Sequence, residues 1–211
     1  MAKAANVELL IKNVRFSYLY AFYPFKGTDD NGKPTENFCA HFIMPPDHPD
    51  LPAVKAAIIQ VVKAAKPNDW ESVIAEMKAK NKICLKDGTV KGDAEGYKGN
   101  KFISGNKKTR FSVVETRGGV NVQLTQADGR PLSGDFGNAK IAIYFMWHKK
   151  GGNMVNCDIQ GIQYTRKGTP LGGGGRVAEA SEFGIDPSDV DGAAPAVAGA
   201  SAPGDSSDLL G

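Results

Sequence analysis

The sequence predicts a mainly β domain interrupted by helices, an α+β chain whose core is a curled antiparallel sheet. Three observations predict it. Two long runs with a period of two, Ala139–His148 and Asn153–Arg166, meet across a paired-glycine turn. A second alternating pair occupies 7–22 and 36–44, and between Pro45 and Met77 the apolar spacing changes to that of helices.

In order along the chain, Val7, Leu9 and Ile11 alternate with Glu8 and Lys12. After a phase slip near Asn13, Phe16, Tyr18, Tyr20 and Phe22 continue the alternation to Pro24, so one long first strand is expected. Its aromatic stripe suits either the inside of a barrel or an open face on which bases stack; the expected division puts Phe16 inside and some tyrosines near solvent. Residues 26–33 (KGTDDNGK) form a turn by composition, and Glu36–Met44 returns with Phe38, Ala40 and Phe42 on one face. Pro45, Pro46, Pro49 and Pro52 end the sheet and lead into a helix striped by Val54, Ala57, Ile58, Val61 and Ala65. A second helix starts near Asn68, with Glu71 placed for a capping box and Trp70, Val73, Ile74 and Met77 as its stripe.

Residues 82–105 are rich in Gly, Lys and Asp and read as a structured loop anchored by Ile83, Leu85, Tyr97 and Phe102. A basic loop and short strand follow over 106–116, with a further strand at 120–124. In the closing hairpin, Ala139, Ile141, Ile143, Phe145 and Trp147 share one face; Lys140, Ala142, Tyr144, Met146 and His148 share the other. Gly151 and Gly152 supply the positive φ of a tight turn, and Gly161 marks a bulge that lets Ile162 and Tyr164 share a face.

With 211 residues and 41% apolar content, the chain supports one sizeable core. Residues 176–211, dominated by Ala, Gly, Pro, Ser and Asp, cannot bury enough apolar area to offset the entropy of ordering, so a folded domain over 1–175 and a disordered acidic tail over 176–211 are expected. The tail carries Arg176 against seven carboxylates, a net −6, which leaves +9 on residues 1–175 of a chain whose total is +3. A basic body with an acidic end fits a nucleic-acid-binding protein and also a merely soluble one.

Cys39, Cys84 and Cys157 have neither disulfide nor zinc-ribbon spacing, and Cys39 with His41 reads as a packed thiol beside an incidental histidine. Asp87, Asp93 and Glu95 belong to a turn-rich loop where acidic residues are common for local reasons. No nucleophile, base and orienter converge, so neither an enzyme nor a metal nor a cofactor is expected. The first residues lack a leader-like apolar stretch and no segment reaches the length of a membrane span, which leads to a cytoplasmic expectation without membrane partners.

The candidate binding residues are the cations and rings of the strands and their loops: Arg15, Tyr18, Tyr20, Lys101, Lys107, Lys108, Arg110, Lys140, Tyr144, Lys149, Lys150, Tyr164, Arg166 and Lys167. Such a mixture suits a polyanion with exposed bases, and equally an ordinary surface with solvated lysines.

Several stretches together resemble the single-stranded DNA-binding protein family of tailed bacteriophages, once catalogued as a domain of unknown function and grouped with OB-fold proteins. They are Arg15-Phe16-Ser17-Tyr18, HFIMPPDHPDLPAVKAAI from His41, Leu85-Lys86-Asp87-Gly88, Glu95-Gly96-Tyr97-Lys98-Gly99 and IQGIQYTRKGTPLGGGG from Ile159, in the family's order over residues 12–175. The resemblance implies a five-stranded OB-like antiparallel barrel with helices between its second and third strands. It also implies sequence-independent binding of single-stranded DNA, protecting it in phage replication, recombination or repair within the host bacterial cytoplasm. Replication or recombination proteins reached through the acidic tail, and a homo-oligomer, are the protein partners considered, and the tail is expected to compete for the groove when no DNA is present. Two alternatives stand beside this: a binder of double-stranded DNA or RNA, which needs the basic groove but not the rings, and a structural or interaction module of the virion.

Overall fold

Strand β1, Asn6–Thr28, serves two neighbours. Its first half pairs antiparallel with β7, Phe136–His148, and its second half with β2, Pro34–Met44. Arg15 is the point of exchange, opposite Phe136 on one side and Ile43 on the other. A strand that changes partners must bend, and β1 has three register shifts, in the first two of which Asn13 (φ 50°) and Tyr18 (φ 47°) take left-handed backbone conformations. The phase slip read near Asn13 is the first of these.

The computed structural model describes residues 6–28 and 32–171. Among them, β2 pairs with β4, Lys101–Lys107, which carries the short β3, Leu85–Asp87, on its other edge. β7 turns into β8, Gly152–Arg166, at Gly152 (φ 69°), and the β7–β8 register shifts beside Gly161, as the bulge reading expected. The ring β4-β2-β1-β7-β8 closes where β4 meets β8 in parallel, Asn106 opposite Asp158. Five strands closed in this way form the OB-type barrel. Outside the ring, β5, Ser112–Arg117, continues in parallel along β8 from Gly161 to Tyr164, and β6, Val120–Gln123, folds back on β5.

The barrel interior is filled by alternate residues of each strand, among them Phe16, Phe42, Ile103, Ile141, Ile143, Cys157 and Ile159, all nearly inaccessible to solvent. Helices α1, Leu51–Ala65, and α2, Trp70–Ala79, lie in the chain between the second and third barrel strands. They extend the same core through Val54, Ala57, Ile58, Val61, Val73 and Met77 and pack on β1, β7 and β8.

Three local expectations are corrected. The last turn of α1 buries Val62 while Ala65 is exposed. α2 has Asp69 at its N-cap without a side-chain cap bond, so the capping box between Asn68 and Glu71 is absent; Glu71 still lies in the first turn, where the helix dipole favours a carboxylate. The stretch 82–105 contains β3 and most of β4, a barrel strand. It reads as a loop because Gly105 is required there for closure: a Cβ at that position would lie 2.7 Å from Cγ1 of Ile159. Residues 88–100 are indeed loop-like, opening with a 3₁₀ turn capped by Asp87, and they cover a second small cluster of Ile43, Tyr97, Phe102 and Leu171. The acidic tail expected over 176–211 lies outside the described residues.

Candidate nucleic-acid interface

Directly opposed residues in a sheet share a face, so register shows which side chains meet outside the barrel. Since Ala40, Phe42 and Met44 point inward, Asn37, Cys39 and His41 of β2 point out. Cys39 stands opposite Asn106 and His41 opposite Ser104; Phe102 continues the face on β4, with Lys86 of β3 opposite it. On the other side Tyr20 stands opposite Cys39 and Phe25 opposite Asn37. One continuous outer face therefore runs over β3, β4, β2 and the second half of β1.

Its rings form a series. The Tyr18 ring, with the residue 48% exposed, lies 5.0 Å from the His41 ring, and Phe102 lies 4.8 Å beyond His41. Farther along the hairpin Tyr20 and Phe25 meet edge to face at 5.2 Å, and Phe25 is largely exposed. Tyr18 holds its left-handed conformation at a cost of about 1–3 kcal/mol, the kind of strain that surrounding structure sustains mainly at functional positions.

The cations of this face are not those that the sequence singled out. Lys86 and Lys91 line a hollow of about 240 Å³ with His41, Asn81, Val90 and Phe102, and Nζ of Lys91 sits 4.6 Å over the Tyr18 ring. Among the described residues neither lysine has a carboxylate within ion-pair distance. Burial, then Lys91 and Lys82, depress the Lys86 ammonium below its ordinary range. Burial, then Lys91 and Lys86, lower His41 to about 3, so it is neutral at neutral pH and bonded through Nδ1 to the Tyr97 hydroxyl at 2.6 Å. Two cations with no ion pair among the described residues, beside an exposed ring, can receive a phosphate and a base at once. Periodicity could not find Lys86 and Lys91, because only the pairing of β3 with β4 turns Lys86 outward; the signal available was the Leu85-Lys86-Asp87-Gly88 motif.

The structure distributes the expected residues over several places. Tyr18 and Tyr20 lie on the face just described. Lys107 reaches Asp158 at 3.3 Å across the closure, with Lys108 exposed beside it. Arg110 lies with its guanidinium carbon 5.1 Å over Phe22. Lys140 pairs with Glu8 at 3.6 Å and Tyr144 is half-buried opposite Asn156, both on β7, which bonds to neither β2 nor β4. Lys149 and Lys150 lie in the β7–β8 turn beside an exposed Trp147. Arg166 stacks 3.6 Å over Phe136, and Lys167 follows it on the surface.

Three of the candidates are engaged within the fold. Tyr164 is 7% exposed and belongs to the core, because the bulge at Gly161 turns it inward with Ile162, so it offers no stacking surface. Arg15 donates from Nε to the Gly134 carbonyl at 3.2 Å and from Nη2 to that of Thr169 at 2.7 Å, which makes it a clamp on the segment after β8. Lys101 is held by Asp87, whose carboxyl is driven far down, first by this lysine.

The family described as "Enterobacter phage Enc34, ssDNA-binding protein" matches residues 7–193. The chain belongs to this family. Among curated proteins, protein p50 of Acyrthosiphon pisum secondary endosymbiont phage 1 is 32% identical over 180 residues, covering 84% of this chain and 92% of that one. The single-stranded DNA-binding protein of bacteriophage Enc34, solved in complex with ssDNA, is similar in fold with a TM-score of 0.59 at 21% identity, over 78% of this chain and 89% of that one. The single-stranded DNA-binding protein gp2.5 of bacteriophage T7 is similar with a TM-score of 0.50 at 14% identity, over 86% and 100% of the two chains. The barrel expected from the family resemblance is thus a family barrel. No helix among the described residues is long and apolar enough to cross a membrane.

Proposed function

We propose that the chain binds single-stranded DNA without sequence preference, through the outer face of β1, β2, β3 and β4, and protects single strands during phage DNA replication, recombination or repair. One observation carries the placement: the strained, exposed Tyr18 ring stands beside Lys86 and Lys91, two cations that have no ion pair among the described residues. A strand laid along this face stacks bases on Tyr18 and Phe25 and sets phosphates against the lysines. Family membership and the shared fold support the reading. Binding needs no chemical step, so the protein acts as a binder rather than an enzyme. It works on the domain 1–175 in the cytoplasm of an infected bacterium, while the acidic segment 176–211 serves contacts with replication or recombination proteins.

Titration of labelled homopolymer single strands and of duplex DNA over a range of salt tests the proposal. Single strands bind more tightly than duplex, different sequences bind alike, and log affinity falls against log salt by about 0.7 per phosphate neutralised. A flat salt response overturns the DNA reading in favour of a virion module. Tighter duplex binding that survives Tyr18→Ala moves the function to double-stranded nucleic acid.

A further inference from the structure

The hollow beside Lys91 and Phe102 does not end the groove. A second one, of about 670 Å³, opens where α1, α2 and β3 meet, and the two share Asn81, Lys86 and Val90 in their walls. Because β3 is the end strand of the sheet, a chain crossing the outer face over β4 and β3 passes from one hollow into the other. The second hollow has an aliphatic floor, with Ile59 and Val90 exposed beside the half-buried Ile74. Its rim is positive. Lys55 and Lys78 are exposed and have no ion pair among the described residues, and the one carboxylate of the lining, Asp87, is already taken by Lys101.

We propose that this hollow is a further nucleotide subsite, into which a bound single strand continues past Lys86, with phosphates on Lys55 and Lys78 and a base against Ile59 and Val90. It rests on the function proposed above. The volume lies within the range of about 300–1,000 Å³ that encloses small ligands. No ring lines the hollow, so a base is held there by apolar contact rather than by stacking, and Asn81 can donate to or accept from the edge of any base. An acidic peptide would match the same charge. Only a ligand already lying on the Tyr18 face, however, reaches the hollow along a shared wall. Tethered there, the next nucleotides stand at high effective concentration, so weak contacts are occupied.

Oligothymidylates of about 4 to about 16 nucleotides, the span of sites on one OB barrel, test the subsite. They are titrated into the full-length chain with its isoleucine and valine methyl groups labelled for NMR. Short oligonucleotides shift Val90, on the shared wall, and beyond a threshold length Ile59 and Ile74 shift as well while affinity continues to rise. Lys55→Ala combined with Lys78→Ala lowers the salt slope of the longest oligonucleotide by about 1.4 and its affinity at low salt by about tenfold. The same double variant binds the shortest one like the parent. Lys63→Ala removes an equal charge from α1 at a lysine that sits 4.1 Å over the Trp70 ring, outside the hollow, and changes neither quantity. Ile59 and Ile74 methyls that stay unmoved at every length overturn the subsite, as does a double variant with the parent's slope, and the hollow is then left to an acidic protein segment. In that case single-strand binding itself stands, provided that short oligonucleotides still depend on Tyr18. A chain that binds no oligonucleotide of any length overturns both.

Discussion

Tyr18 holds a backbone conformation that its side chain disfavours, and asparagine tolerates that conformation better. Replacing it separates the two uses of the residue. Tyr18→Asn is expected to keep stability within about 1 kcal/mol of the parent, because relief of strain offsets the absence of a ring packed on His41 and Tyr97. The same change weakens single-strand binding by about 1–3 kcal/mol with an unchanged salt slope. Lys86→Ala and Lys91→Ala behave oppositely, each lowering the slope by about 0.7. Tyr164→Ala, by contrast, costs about 3–5 kcal/mol of stability because it empties a core position. Denaturant unfolding beside DNA titration checks all four.

His41 gives the pH dependence. The folded protein keeps the imidazole neutral down to about pH 3, while the unfolded chain takes up a proton near the ordinary value of 6.5. Between those values the unfolded state binds more protons, so stability is complete above about pH 6.5 and falls as the pH drops toward 3. The loss reaches roughly 5 kcal/mol at the acid end. His41→Gln, which cannot titrate, removes that part of the acid slope; an unchanged slope would place the effect elsewhere.

At the level of elements, barrel closure depends on the approach of β4 to β8 at Gly105. Gly105→Ala forces its Cβ against Ile159 and is expected to cost about 1–3 kcal/mol by urea unfolding. Ile159→Ala removes both of the side-chain atoms in the way, so the double variant loses less than the sum of the two single ones; strict additivity would show that the strands part without strain. The same glycine explains why β4 was hidden in the sequence. Its inward positions are Ile103 and Gly105, and half of an alternating pattern is missing when one of its members has no side chain. The β7–β8 hairpin and both helices had full apolar stripes and were legible. The site was less so: period two separates the faces of a strand but cannot say which face is inside, so Tyr164 and Tyr18 read alike, and Lys86 acquires its neighbours only by pairing across sequence.

Over the whole molecule, two of the three thiols are sealed in one core. Burial pushes Cys84 up to about 12 and Cys157 well above the ordinary thiol range, and both are nearly inaccessible. Cys39, on the open face of β2, is also raised by burial but is partly exposed. Alkylation at mildly basic pH is expected to modify Cys39 first, and Cys84 and Cys157 together only through global opening. Mass spectrometry of the labelled chain checks the order, and early modification of Cys157 would mean that the barrel opens locally at its closure.

The β5–β6 hairpin stands outside the ring of five strands, and its turn is made by Gly118 and Gly119, both exposed and both at positive φ with open space where a side chain would be. Such a turn tolerates added chain, because β5 is held along β8 and β6 by its ladder with β5 rather than by the turn itself. A short tag or a dye-bearing loop inserted between these glycines is therefore a means of watching the protein assemble on a strand, with the barrel and its binding face left as they are.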